Sequence, residues 1–131
     1  MIFIDTSAFY ALLDGDDAEH SLALKLWEGD PPCEGALVTT NYVVLESMAL
    51  LQSRIGMPAV RILHDAILPL VRMEWIDAVI HAQAVSAYLA AHRRGLSLVD
   101  LSSFETMRRL GIRSAFTFDR HFRQYGFKTI P

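Results

Sequence analysis

A chain of 131 residues, 52% hydrophobic and 21% charged, has the length of one domain and enough apolar content for a core, which excludes disorder and a second ordinary domain. No apolar run approaches the ~20 residues that cross a bilayer, Met1 to Asp5 lacks the charged start of a signal peptide, and the single Cys33 has no intrachain disulfide partner, so a cytoplasmic protein is expected. The net charge of −3 speaks against a uniformly basic nucleic-acid binder, yet Arg93 to Pro131 holds eight basic residues against three acids, a balance that permits a basic rim beside an acidic centre.

In chain order, Ile2-Phe3-Ile4 is a short apolar run that ends at Asp5-Thr6-Ser7, followed by a helical pattern (Ala8, Leu12, Leu13) that stops near Gly15. Asp16-Asp17 suits the cap of a helix with Leu22, Ala23, Leu26 and Trp27 on one face. Asp30-Pro31-Pro32 breaks the chain, and Ala36 to Thr39 reads as a buried strand. Asn41 opens an apolar helix through Leu51, and Pro58 fits the first turn of another that fades before Pro69. Val71, Met73 and Trp75 alternate with Arg72 and Glu74 at strand period. Asp77 caps a long helix expected to run to Arg94 and end at Gly95. Leu98-Val99-Asp100 leads into a helix that ends at Gly111, Ala115 to Phe118 reads as a strand delivering Asp119, and Lys128-Thr129-Ile130 forms a last edge strand. Short apolar strands alternating with helices imply an α/β fold, a parallel sheet covered on both faces, in one domain over residues 1–131.

Ligands of such sheets bind beyond the carboxyl ends of the strands, where Asp5 and Asp119 are expected. Asp5, Asp100 and Asp119 each stand near a helix start and each also suits a capping role. Glu46 is different. Its neighbours at helical spacing are Tyr42, Val43, Ala49 and Leu50, with no cation among them, so its carboxylate needs a distant arginine such as Arg108 or a metal. Acids gathered without local partners repel one another. A hard divalent cation removes that conflict, and Mg²⁺ combines carboxylate ligands with phosphate oxygens at its open positions. Zinc spacings of His and Cys, the G-x-S-x-G elbow, the Walker loop and G-x-G-x-x-G are all missing. Thr117 carries a hydroxyl close to the acids, suited to orienting a ligand. His20 and His121 read as exposed polar residues outside the site.

Four stretches together resemble the PIN-domain family, especially its small toxin-like ribonucleases of the VapC type. They are Ile2 to Ala8, Thr39 to Glu46, Gly95 to Asp100 and Phe116 to Phe122, in the family's order and spacing. The resemblance implies a three-layer α/β/α sandwich with a mostly parallel, roughly five-stranded, Rossmann-like sheet. It also implies Mg²⁺ or Mn²⁺ at Asp5, Glu46, Asp100 and Asp119 and endonucleolytic cleavage of RNA. Asp119 matches a position that varies more in the family, where asparagine also occurs. Such toxins pair with a small antitoxin and form homodimers, a use for the apolar surplus of this chain. RNA binding to an acidic protein calls for a rim, for which Arg93, Arg94, Arg120 and Arg123 are the first candidates. A housekeeping PIN nuclease of RNA processing, or a catalytically silent RNA-binding scaffold, would share much of this pattern. An antitoxin reading frame beside the gene separates the first from a toxin, and a metal-dependent cleavage assay separates the second.

Overall fold

The computed structural model describes residues 1–29 and 37–131. Its elements, in order, are β1 (Ile2–Ile4), α1 (Thr6–Leu13), α2 (His20–Glu28), β2 (Leu37–Thr40), α3 (Asn41–Arg54) and α4 (Met57–Ile62). A π turn (Leu63–Ile67) and a 3₁₀ turn (Leu68–Leu70) lead into β3 (Arg72–Glu74), α5 (Ala78–Ala91), α6 (Leu98–Leu110), β4 (Ser114–Phe116), α7 (Arg120–Gln124) and β5 (Lys128–Ile130). The five strands are all parallel, in the order β3-β2-β1-β4-β5. The expected α/β sandwich is therefore the one formed. The break expected at Asp30-Pro31-Pro32, and Ala36 at the head of the second strand, lie outside the described residues.

The strand order explains where a site can form. The chain steps outward from β1 to β2 to β3, then returns past β1 to lay down β4 and β5. Right-handed crossovers in the two directions put helices on opposite faces, and the reversal opens a crevice between the carboxyl ends of β1 and β4. β1 is central and fully apolar: Phe3 and Ile4 are buried completely, and Phe3 lies against Phe122 of α7. Phe122 in turn meets Phe104 of α6 edge-on with centroids 5.0 Å apart, and Phe104 stacks on Tyr125 at 4.6 Å and Phe127 at 5.6 Å. This aromatic cluster joins α6 to α7 and to the lead-in of β5. It fixes the helix bearing Asp100 relative to the turn bearing Asp119.

Three boundaries differ from expectation. Helix α2 begins at His20, after Glu19, with no side-chain cap; Asp17 instead accepts from the Glu19 backbone N–H at 2.8 Å, in a turn ahead of the helix. Helix α5 ends at His92, in a left-handed conformation (φ 47°), three residues before Gly95. The early stop turns the chain so that Leu96 is buried and Arg93 reaches Gln124 of α7. Trp75 ends the alternation of β3 in solvent, 71% exposed, because β3 is an edge strand. Asp77 and Gly111 cap α5 and α6 as expected, Gly111 at φ 68°, where glycine carries no Cβ penalty. Among the described residues, no helix is long and apolar enough to cross a membrane.

Candidate active site

Asp5 follows β1 and caps α1, and it is 4% exposed. Its Oδ2 accepts from the Ser7 hydroxyl at 3.0 Å, the Ser7 backbone N–H at 3.3 Å and the Thr117 hydroxyl at 3.1 Å. Burial pushes its carboxyl up to about 6; the Ser7 hydrogen bond opposes the shift and the charge of Asp100 adds to it. Capping and site-building coincide in this residue, since the bonds that start the helix also orient the carboxylate.

The second wall comes from the loop after β4. Thr117 Oγ1 accepts from the Asp119 backbone N–H at 3.0 Å, and Ser7 Oγ accepts from the Phe118 N–H at 2.9 Å. Two hydroxyls thus hold the loop against Asp5 across the crevice. Asp119 caps α7, and its Oδ1 accepts from the His121 backbone N–H at 2.9 Å and faces the His121 Nδ1 at 2.7 Å. His121 is therefore part of the site, contrary to the expectation of an exposed bystander. Its side chain is only 14% exposed. A histidine two residues after an aspartate at a helix start gives no periodic signal, so only the folded loop reveals it.

Asp100 occupies the third position of α6, in a reciprocal box with Ser97: its Oδ2 accepts from the Ser97 N–H at 2.9 Å, and Ser97 Oγ accepts from the Asp100 N–H at 3.1 Å. Its carboxyl is raised by burial, partly offset by that N–H, and raised further by the charge of Asp119. Glu46, half-buried on α3, is raised by burial, lowered by the Thr6 hydroxyl and raised by Asp100 and Asp119. Among the described residues no cation pairs with Glu46. The distant partner it might have had, Arg108, lies beside Glu105 and over the rings of Tyr125 and Phe127. The four acids of the sequence reading thus act on one another electrostatically, with Asp100 in contact with the field of all three others.

Two observations fit a divalent cation. One ligand atom each from Asp100, Asp119 and His121 lie within 4.8 Å of one another, the single such group among the described residues; Asp5 and Glu46 stand outside that tight trio. The Thr6 hydroxyl, 5% exposed and directed at Glu46, has no partner at hydrogen-bond geometry. A buried hydroxyl without a partner marks a place for a further polar ligand.

Of the candidate rim residues, Arg120 and Arg123 line an open cavity with Thr117, Phe118 and Asp119, next to the acids. Arg123 also donates to Thr129 of β5 at 2.6 Å. Arg93 is held beside α7 by its 3.3 Å bond to Gln124, while Arg94 lies with Arg93 in a separate hollow lined by Tyr88, Leu89 and His92.

Comparison with known proteins matches this arrangement. Residues 2–128 fit the model of the PIN domain. The chain is 38% identical over 131 residues, 99% of this chain and 98% of the relative, to the 23S rRNA-specific endonuclease VapC20 of Mycobacterium tuberculosis. The crystal structure of that VapC20, titled a Sarcin-Ricin loop cleaving toxin, superposes with a TM-score of 0.86 over 97% of this chain and 96% of its own, at 36% identity. FitAcB from Neisseria gonorrhoeae shares the fold at 20% identity, with a TM-score of 0.69 over 100% of this chain and 97% of its own. The parallel sheet, the acids at its switch point and a family match over nearly its whole length identify this chain as a member of the PIN-domain family.

Proposed function

We propose that the protein is a divalent-metal-dependent endoribonuclease, the toxin of a toxin–antitoxin pair, acting in the cytoplasm on a structured ribosomal RNA. The observation that carries this reading is the convergence of Asp5, Glu46, Asp100 and Asp119 at the switch point, in a chain 38% identical to a 23S rRNA-specific endonuclease along nearly its full length. The four acids are the metal-binding and catalytic residues of the proposal, and Mg²⁺ or Mn²⁺ is the cofactor. When bound, the cation supplies Lewis acidity toward the phosphodiester and toward water.

The chain's own groups have separate tasks. Ser7 and Thr117 fix the Asp5 carboxylate and leave its other oxygen for the cation. Arg120 and Arg123, beside Asp119, meet the phosphates that flank the cleaved bond, and Arg93 extends the rim along α7. Arg94 is the outermost of the proposed rim.

The antitoxin and the homodimer of the proposal draw support from apolar side chains left in solvent. Leu45, Trp75, Val79 and Leu89 are each at least 65% exposed. The decisive experiment incubates the purified protein with ribosomes and maps cleavage ends on the large-subunit RNA. Cleavage at a discrete site, abolished by EDTA and restored by Mg²⁺ or Mn²⁺, is the expected result. Undiminished cleavage in excess chelator would overturn the metal mechanism, and no cleavage of any RNA in the presence of metal would overturn the nuclease reading.

A further inference from the structure

His121 sits where the acids are closest together, and its tasks as a surface residue are few. Its Nδ1 points at Asp119 Oδ1 across 2.7 Å, while its Nε2 lies on the side of Gly95, 3.8 Å from where a Cβ at that glycine would stand. A neutral imidazole nitrogen and a carboxylate oxygen at that separation both present lone pairs unless something positive lies between them. Two neighbouring ligands of an octahedral cation with bonds of ~2.1 Å stand about 3 Å apart, so the observed gap is close to the bite of a chelate.

We propose that His121 is a metal ligand, joining Asp100 and Asp119 in a mixed nitrogen–oxygen site that favours Mn²⁺ over Mg²⁺. The inference rests on reading the acids as a metal centre and deepens it. The trio satisfies the distance condition for one shared ion, with ligand atoms within 4.8 Å. The unpartnered, buried Thr6 hydroxyl at Glu46 is an independent sign that the space between the acids takes a polar occupant. Asp100 feels Asp5, Glu46 and Asp119 alike and is placed to be shared between this site and the all-oxygen side formed by Asp5 and Glu46.

The chemistry of the donors sets the preference. Mg²⁺ binds an oxygen shell and gains little from imidazole, whereas first-row transition ions accept nitrogen readily. The His121 ring is also held in place: the backbone N–H of the same residue donates to Asp119 Oδ1, so ring and carboxylate move as one unit.

Pulsed electron paramagnetic resonance of Mn²⁺ bound to the intact protein tests this directly. Nitrogen coupling is expected in the wild-type spectrum and is expected to vanish in His121→Ala. In calorimetric titration, His121→Ala should lose ~10-fold or more in Mn²⁺ affinity, the lower range for removing a metal-site group, with Mg²⁺ affinity changed by less than about 3-fold. Mn²⁺ bound without nitrogen coupling would overturn the proposal, as would coupling that survives His121→Ala, or equal losses for both ions. The broader reading has its own control, in that Asp100→Asn should weaken both ions. If Mn²⁺ binds wild type and Asp100→Asn equally, the acid centre itself is wrong; if only the nitrogen coupling is missing, the acid centre stands and His121 is outside it.

Discussion

The Asp5 carboxyl is asked to be charged in a place that burial makes unfavourable. It keeps its proton up to about pH 6 when folded and releases it near its ordinary value of 3.8 when unfolded. Between those values the folded state binds more protons, so metal-free stability falls as pH rises, by on the order of 3 kcal/mol once pH passes 6. Asp5→Asn removes this cost and can still cap α1. In EDTA at pH 7 the variant should melt above wild type, with the gap closing toward pH 4, while RNA cleavage is lost. A variant that melts below wild type at both values would show that the hydrogen bonds of Ser7 and Thr117 outweigh the desolvated charge. Glu46→Gln gives a parallel test. With no cation paired to it among the described residues, thermal unfolding without metal should be unchanged or raised; a loss of roughly 3–5 kcal/mol would reveal a buried ion pair instead.

Helices and strands here do double service, and α6 is the clearest case. Asp100 closes the capping box of α6 and faces the other acids, so the two roles must be separated by substitution. Asp100→Asn keeps much of the cap, since asparagine accepts the same N–H, and should lose cleavage with the fold intact. Retained cleavage in a folded Asp100→Asn protein would make capping its whole role. Deeper in α6, Phe104→Ala opens a cavity among Phe122, Tyr125 and Phe127 and should cost about 3–5 kcal/mol in denaturant unfolding. The position of Asp100 along the chain, and its helix, were legible because Ser97, Asp100 and Gly111 are local signals. The end of α5 was not, since Arg93 and Arg94 are good helix formers and the stop at His92 is imposed by the burial of Leu96 and the reach of Arg93 to α7. His121 escaped for the same reason: its partner Asp119 is near in sequence, but its company with Asp100 exists only after folding.

For the molecule as a whole, an acidic chain must bind a polyanion through a local field. Arg120 and Arg123 lie beside the acids, and each should contribute about one unit to the slope of log affinity against log salt. Binding by the Arg120→Ala and Arg123→Ala variants at several salt concentrations, with metal but with cleavage blocked by Asp100→Asn, measures this; unchanged slopes would place the RNA elsewhere. The hydrogen bond from Thr117 to Asp5 spans 112 positions in the chain. A ribosome making this protein therefore completes Asp5, Glu46 and Asp100 well before the loop that steadies them exists. Parallel pairing of β1 with β4 waits on synthesis of both partners, and such distant pairing is slow to form. An unfinished polypeptide consequently lacks an assembled centre, and the ribosome translating it is shielded from the product for as long as the second half of that centre has not emerged.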